Sequence, residues 1–344
     1  NLVSGPGSVF FTSDGTLVRY DLRYETFHDL HLKASCLYSD GRDVWAAVRD
    51  SIYHWSPVDS SFSFVYCMPS DKLVTSLYLG ADNSLWIGTM SGLYRMKEES
   101  NQPVCIIPAI RVHSLYYDKR GYMWVAAFRK GMYRVEETDT DDGWIIQNDF
   151  ILSSNDVRCF VEDEDGGIWV GTFNGLNHIG QDGHITCYRK EMLPGTLKHS
   201  SVFSLYKDRQ GTIWVGTYYG GVHFFHPQTD IFKHYSENTG KENGVSFPYI
   251  GNMVEDRRGN IWICTEGGGL NCWNRKSDTF THYLSGINGE PFFPNLKCIE
   301  YDGQTDCLYI GTHKQGFLCF DILTASVKHY ADYKRMSDSF NEVI

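Results

Sequence analysis

The chain has 344 residues, with 31 basic and 42 acidic side chains and a formal net charge of −11, which argues against binding to the phosphate backbone of nucleic acid. No apolar run reaches the roughly 18–20 residues of a membrane-spanning helix, and no signal-peptide pattern opens the sequence, so we expect no membrane insertion by this region. The 33 glycines and an aromatic content of 15% favour β-strands joined by many turns.

One sequence frame recurs along the chain. Its clearest copies read VEDEDGGIWVGTFNGL, YKDRQGTIWVGTYYGG and VEDRRGNIWICTEGGG, and each contains an anchor residue in the same place. The anchors are Phe10, Trp45, Trp86, Trp124, Trp169, Trp214, Trp262 and Tyr309, at intervals of 35 to 48 residues. This period is typical of the four-stranded blade, so the sequence predicts an all-β fold, a β-propeller.

Each unit is expected to form four strands, a to d in chain order. Strand a is an apolar run such as 202–206, and a tight turn with Asp six and Gly three residues before the anchor leads to strand b. Strand c follows a second glycine, as at Gly175. Strand d is a Phe-x-x-Tyr run such as 280–283. The anchors should pack between blades, and the small residue two positions later should allow neighbouring sheets to approach closely.

The chain ends suggest how the fold closes. No strand a is recognised before Phe10, so we expect the first unit to begin at strand b. Residues 339–344 resemble the start of a strand a at 153–158, and the C-terminus is expected to complete the first blade, which would hide two sheet edges. The prediction is a single domain over residues 1–344 with eight units, or seven blades if the split unit lies outside the ring.

The ten cysteines are predicted to be mostly unpaired thiols, because several occupy equivalent repeat positions that separate blades hold apart. No Cys/His metal spacing, nucleophile elbow or phosphate loop is present, so we predict no catalytic residue, no metal site and no cofactor. The acidic run at 162–166 is interpreted as the a–b turn of its blade rather than as a calcium loop.

The frame Asp-x-x-Gly-x-Ile-Trp-Val-Gly-Thr-x-x-Gly-Leu resembles the two-component regulator propeller repeat. Such repeats form the extracytoplasmic sensor region of hybrid two-component systems in Bacteroides-type bacteria, usually as two propellers described as seven-bladed, so a count of eight departs from the family. The resemblance implies a periplasmic, non-enzymatic sensor region attached to a histidine kinase. It also implies an oligosaccharide ligand and neighbouring propeller and β-sandwich domains as partners, with a homodimer as a further option.

Positions that differ between the copies are the candidates for ligand binding. The b–c turns and the d–a connections are expected to open at the same end of a propeller, where loops on a rigid scaffold collect binding residues. Aromatic side chains there could stack on sugar rings, and cations could bind carboxylate or sulfate groups. The candidates are Arg49, Arg129, Phe173, Asn174, Tyr218, Tyr219, Glu266, His313 and Lys314.

Three functions remain open at this point. The first is the ligand sensor that the resemblance implies. The second is a passive interaction platform, with the ligand at a seam to a neighbouring domain. The third is a propeller glycoside hydrolase or lyase, in which Glu266 would pair with Asp50 or Glu237 as the two carboxylates of the reaction.

Overall fold

The computed structural model describes residues 2–13, 16–69, 72–97, 100, 102–138, 143–190, 196–225, 232–237, 243–286 and 292–330. Every regular element in these ranges is a β-strand, and the strands form eight four-stranded antiparallel sheets in chain order. The predicted β-propeller with eight blades is therefore confirmed. The chain divides into two compact units, one within Asn1–Phe150 and one within Ile151–Ala331, and each contains four blades.

The first unit holds blades 1 to 4, with strands a to d of each blade in order. Blade 1 contains β1 (Leu2–Gly5), β2 (Ser8–Ser13), β3 (Thr16–Asp21) and β4 (Thr26–Asp29). Blade 2 contains β5 (Cys36–Ser39), β6 (Val44–Val48), β7 (Ser51–Ser56) and β8 (Ser61–Cys67). Blade 3 contains β9 (Val74–Leu79), β10 (Leu85–Thr89), β11 (Gly92–Met96) and β12 (Val104–Pro108). Blade 4 contains β13 (Val112–Tyr117), β14 (Met123–Ala127), β15 (Gly131–Glu137) and β16 (Trp144–Gln147).

The second unit holds blades 5 to 8 in the same arrangement. Blade 5 contains β17 (Val157–Glu162), β18 (Ile168–Thr172), β19 (Gly175–Ile179) and β20 (Ile185–Tyr188). Blade 6 contains β21 (Val202–Lys207), β22 (Ile213–Thr217), β23 (Val222–Phe225) and β24 (Phe232–Tyr235). Blade 7 contains β25 (Ile250–Glu255), β26 (Ile261–Thr265), β27 (Gly269–Asn274) and β28 (Thr279–Tyr283). Blade 8 contains β29 (Leu296–Asp302), β30 (Cys307–Thr312), β31 (Phe317–Asp321) and β32 (Val327–Tyr330).

The expectation that blade 1 begins at strand b is wrong. Strand β1 pairs antiparallel with β2, from Leu2 opposite Phe11 to Gly5 opposite Ser8, so the chain supplies its own first strand a. The two strands are joined by the two-residue turn Pro6–Gly7, with Gly7 at a φ of 64°, which replaces the longer Asp-supported turn of the other blades. The C-terminal run 339–344, expected to fill this position, lies outside the described residues.

Consecutive blades within each unit pack through their first strands and through apolar clusters shared by neighbouring sheets. The small residue after the anchor lies at this contact. A Cβ atom built on Gly171 would lie 2.7 Å from Cγ1 of Val202, and one on Gly216 would lie 3.0 Å from Cγ2 of Ile250. Each of those partners belongs to strand a of the next blade, so the prediction that this position permits close sheet approach is confirmed.

Five of the six anchor tryptophans are buried, and Trp45 is partly buried. Four of the buried ones make the same kind of hydrogen bond, which the repeat spacing encodes. The indole nitrogen donates to the carboxylate of the Asp six residues earlier in Trp124–Asp118, Trp169–Asp163, Trp214–Asp208 and Trp262–Asp256, at 2.8–3.2 Å. Trp45 and Trp86 have Ser39 and Gly80 at that position, and their buried indole nitrogens have no partner among the described residues. The Asp therefore stabilises both the turn and the core.

All ten cysteines are free thiols, as predicted. Cys36, Cys159 and Cys298 occupy the same slot of strand a, opposite the small residue of strand b in their own blades. Burial raises the pKa of the Cys36 and Cys159 thiols to about 12, which leaves them protonated and unreactive at neutral pH. Cys67, Cys105 and Cys187 are exposed on outer strands.

Candidate functional site

In six blades the b–c turn is hydrogen-bonded to the connection that leads into strand a of the same blade. The residue after strand b donates its backbone N–H to a carbonyl of that connection at 2.8–3.0 Å. The pairs are Met90–Leu73, Phe128–Arg111, Phe173–Asp156, Tyr218–Ser201, Glu266–Tyr249 and His313–Asn295. The turns and connections therefore lie side by side, as the sequence predicts.

In the same six blades, strand a contains a β-bulge directly after its first residue. The register between strands a and b shifts after the first residue pair, so the next residue of strand a has no direct partner. Such a bulge re-aims the side chain of the extra residue. The residues at this position are Thr75, His113, Arg158, Phe203, Gly251 and Lys297.

Turn and bulge residues of blades 5 and 6, together with Tyr249 in the connection to blade 7, form an aromatic cluster at the surface, which we call the aromatic face. Tyr218 and Tyr219 stand at 86° with ring centroids 5.1 Å apart, and Tyr249 packs edge-to-face on them at 4.0 and 4.5 Å. Phe203 stacks beside Tyr218 at 6.4 Å. Tyr218, Tyr219 and Phe203 remain 40%, 59% and 49% exposed, so large apolar surfaces held in place by neighbouring rings face solvent.

Arg158 extends this face to blade 5. Its guanidinium lies 5.0 Å from the ring centre of Phe173 and 5.5 Å from that of Phe203, within the range of cation–π contacts. The same group donates from Nη1 to Oγ of Ser201 at 3.1 Å. The aromatic face is therefore a continuous strip of flat groups, from Phe173 through Arg158 and Phe203 to the three tyrosines.

Buried polar residues of strand c fix the connections that carry this face. In blades 5 and 7, Oδ1 of Asn177 and of Asn271 accepts the backbone N–H of Ser153 and Ser246 at 2.8 and 2.7 Å. In blade 6 the equivalent residue is His223, whose Nε2 accepts the N–H of Lys198 at 3.0 Å. The three side chains occupy one repeat position and are fully buried, so they hold the connections on rigid strands.

His199 lies beside the tyrosines, with its ring centre 6.4 Å from those of Tyr218 and Tyr219. Its Nδ1 accepts the backbone N–H of Ser201 at 3.1 Å. Partial burial lowers the pKa of His199, and the nearby charge of Lys190 lowers it further, so the ring is neutral at pH 7. The single proton of the ring is then on Nε2, which provides a hydrogen-bond donor beside the aromatic face.

The remaining candidates of the second unit, Asn174, Glu266, His313 and Lys314, lie on b–c turns but outside the aromatic cluster. Asn174 donates its backbone N–H to Oγ1 of Thr172 at 3.3 Å, which stabilises the turn. Glu266 forms an ion pair with Lys297 at 2.5 Å, so the carboxylate considered for glycoside hydrolysis is engaged by an ammonium group. His313 and Lys314 form the turn of blade 8, where Lys314 has a φ of 68°. Glu237 is exposed in the connection before blade 7.

The two candidates of the first unit are Arg49 in blade 2 and Arg129 in blade 4. Both occupy b–c turns with positive φ, 57° and 58° respectively. Arg129 contacts the exposed Phe128 ring at 5.1 Å. Asp50, the other carboxylate considered for hydrolysis, follows Arg49 in its turn and accepts a bond from the Ser51 hydroxyl at 3.2 Å.

The acidic run at 162–166 forms the a–b turn of blade 5, as expected. Asp163 accepts hydrogen bonds from the N–H of Gly167, the indole of Trp169 and Nε2 of His178. Burial alone would raise the pKa of Asp163, but these bonds outweigh it and the pKa is lowered. A cavity of about 440 Å³ opens beside Asp163 and Asp182. Across the part of the chain that the structure describes, no three His, Cys, Asp or Glu side chains are grouped to hold a metal ion.

Sequence reasoning missed Arg158, His199, Phe203 and Tyr249. Arg158 and Phe203 were assigned to strand a and therefore to the repeated frame, yet their position differs in every copy. A residue-by-residue comparison of strand a between the copies reveals this variation. His199 lies in a connection, 189–200, that the sequence marks as a candidate region, whereas Tyr249 follows directly after the candidate connection 236–248. Parts of the candidate connections, 191–195, 238–242 and 287–291, lie outside the described residues.

Comparison with known proteins explains the repeated frame. A family model described as the two component regulator propeller matches residues 151–174, 196–219 and 244–267, which carry the connections and turns of blades 5 to 7. Three segments of this chain thus match the two-component regulator propeller repeat. Each regulator-propeller match begins in the connection and ends in the b–c turn, so it spans the segments that form the aromatic face. No curated protein matches the chain.

Several solved structures are similar to this chain at low sequence identity. The chain is 15% identical to the extracellular domain of a hybrid two-component system of B. thetaiotaomicron, with a TM-score of 0.42 over 93% of this chain and 61% of that one. PorZ of Porphyromonas gingivalis is 13% identical, with a TM-score of 0.53 over 95% and 63%. The enzyme NirN is 13% identical, with a TM-score of 0.63 over 95% and 71%. Two further matches to extracellular domains from B. thetaiotaomicron cover 61% and 65% of those chains, so this chain spans less than two thirds of the length of the B. thetaiotaomicron domains it matches. Within the described ranges, no helix has the length and apolarity needed to cross a membrane.

Proposed function

We propose that this chain is the extracytoplasmic sensor propeller of a two-component system and that its aromatic face binds an oligosaccharide. The regulator-propeller repeats support the sensor role, since that family is named for two-component regulation. The single observation that carries the binding role is the cluster of the exposed Tyr218 and Tyr219 with the partly buried Tyr249, built on the turns and connections of a rigid scaffold.

The chemistry of the cluster suits a sugar. A pyranose presents C–H groups on one face and hydroxyls at its edge, so it can stack on a tyrosine ring while its hydroxyls bond to polar groups nearby. His199 Nε2 and the tyrosine hydroxyls are available for such bonds. The rings already pack on one another, which reduces the entropy cost of ordering them, about 0.5–1.5 kcal/mol for each mobile side chain.

In this proposal the chain is one part of a longer receptor. Ligand binding would act on neighbouring propeller and β-sandwich domains and, through them, on a transmembrane histidine kinase. The ligand must favour one of two arrangements of those domains, because equal affinity for both shifts no population.

The proposal is tested by screening short neutral oligosaccharides of glucose, xylose, mannose and galactose by calorimetry against the wild type and a Tyr218→Ala/Tyr219→Ala variant. We expect at least one oligosaccharide to bind the wild type. The double substitution should weaken binding by about 1–3 kcal/mol, since each stacked ring contributes of the order of 1 kcal/mol.

The matched control is Tyr24→Ala, which removes an equally exposed tyrosine from the c–d turn of blade 1, where Tyr24 is 66% exposed. This variant should bind like the wild type. Absence of binding by every oligosaccharide, or equal affinity of the double variant and the wild type, would refute the proposed function. The passive platform would then be the better description.

A further inference from the structure

Blade 4 carries a second surface cluster, in the first unit. The exposed ring of Phe128 is contacted by two guanidinium groups, that of Arg111 at 4.7 Å and that of Arg129 at 5.1 Å from its centre. Phe128 and Arg129 belong to the b–c turn, and Arg111 to the connection whose carbonyl accepts the Phe128 N–H at 2.8 Å. The ring therefore serves as a support that holds two cations on one surface.

Neither cation has an acidic partner. Arg111 and Arg129 make no ion pair with another described residue, and the segments 109–112 and 127–131 contain no Asp or Glu. A third cation, Lys130, caps the carbonyl of Ala109 with its ammonium at 2.9 Å. In a chain of net charge −11 this is an uncompensated positive surface. At physiological salt the distant negative charges are screened beyond about 8 Å, so the local cations determine what binds there.

The backbone of Arg129 supports a role for its side chain. Its φ of 58° is in the left-handed region, which costs a non-glycine residue about 1 kcal/mol or more. Blade 4 also has a glycine of positive φ at the start of strand c, Gly131 at 80°, which corresponds to Gly175 of blade 5, so the left-handed conformation of Arg129 is an additional one. A cation is thus present at a position where glycine would be less strained.

We propose that Arg111 and Arg129, held by Phe128, form a binding site for an oxyanion group, a carboxylate or a sulfate, on a ligand of this protein. Stacking leaves the N–H edges of each guanidinium free, and these edges match the paired oxygens of such groups in two-point hydrogen bonds. Because the guanidiniums are already placed, binding loses little side-chain entropy. The site lies in the other unit from the aromatic face and does not rest on the proposed function.

The test uses three polymers with one backbone: dextran sulfate, carboxymethyl dextran and unmodified dextran, titrated against the whole chain at physiological salt. We expect the wild type to bind at least one anionic polymer and to bind unmodified dextran more weakly by about tenfold or more. The sulfated and carboxymethylated arms distinguish the two oxyanions. Raising the salt concentration should weaken the binding.

The decisive variant is Arg111→Gln/Arg129→Gly, which removes both cations and relieves the positive φ, so its melting temperature should not fall. We expect it to bind the anionic polymer about tenfold more weakly. Arg23→Gln is the matched control, because Arg23 is an exposed arginine stacked on Tyr24 at 5.3 Å in the same unit. Equal binding by the double variant and the wild type, an equal loss in Arg23→Gln, or no binding by either anionic polymer would overturn the proposal. Neutral oligosaccharides and the tyrosine variants test the aromatic face separately.

Discussion

The indole nitrogen of Trp214 donates a 2.8 Å hydrogen bond to Oδ2 of Asp208, six residues earlier in the chain. The same carboxylate accepts a 2.6 Å hydrogen bond from Nη2 of Arg275 in the next blade. It also accepts hydrogen bonds from the backbone N–H groups of Gln210 and Thr212. One fully buried Asp therefore joins the a–b turn, the core of its own blade and the neighbouring blade. The sequence indicates only the first of these roles.

Asp208→Ala is expected to destabilise the protein by about 3 kcal/mol or more, because it leaves a partly buried guanidinium and a buried indole N–H without their acceptor. Urea unfolding monitored by tryptophan fluorescence measures this loss. Asp165→Ala is the control, since Asp165 is an exposed carboxylate in the equivalent turn of blade 5 and should change stability by less than about 0.5 kcal/mol. Equal effects of the two substitutions would contradict the role given to Asp208.

Trp124→Phe should cost about 1 kcal/mol more stability than Trp86→Phe. Both tryptophans are buried in the first unit and lose similar volume, but only Trp124 donates to a carboxylate, that of Asp118. The difference between the two variants therefore isolates that hydrogen bond. Urea unfolding of both proteins under one set of conditions provides the comparison, and a larger loss for Trp86→Phe would show that the bond contributes little.

The stability of the protein is expected to fall as the pH drops below about 6.5, partly because of His223. Burial lowers the pKa of His223 far below its ordinary value of 6.5, and the nearby His234 and Lys198 lower it further. As the pH falls, the unfolded chain takes up the proton first, so the contribution of His223 is complete above pH 6.5 and is lost below it, at up to about 1.4 kcal/mol per pH unit.

His223→Asn should remove this part of the pH dependence. Asn177 and Asn271 occupy the same repeat position and accept the same backbone N–H, so the substitution keeps an acceptor for Lys198. Denaturation curves at several pH values between 5 and 8 are the measurement. If both proteins lose stability equally towards acid pH, another group is responsible.

Thiol titration should give two distinct counts. In the native protein three thiols, those of Cys67, Cys105 and Cys187, should react quickly because they are exposed. Denaturation without a reductant should reveal all ten. A denatured count well below ten would indicate disulfides and would contradict the repeat positions assigned to the cysteines.

The repeated residues made the fold predictable, and the varied residues only partly revealed the site. The anchors, the Asp turns and the small residues occur at fixed spacing, so they specify strands, turns and blade contacts independently of position in the chain. Strand β1 escaped detection because a two-residue turn replaces the Asp turn before Phe10. The contact of Arg158 with Phe173 and Phe203 depends on β-bulges in two blades, and no spacing rule within one blade predicts which side chains a bulge brings together.

The most direct test of the central claim is oxidative footprinting of the wild-type protein with and without a saturating oligosaccharide taken from the screen, with mass spectrometry reporting each tyrosine. The account predicts that labelling of Tyr218 and Tyr219 falls several-fold when the sugar is bound, while labelling of Tyr24 is unchanged. A sugar that binds with full calorimetric signal while both tyrosines are labelled as in the free protein would contradict the claim that the aromatic face is the ligand-binding site.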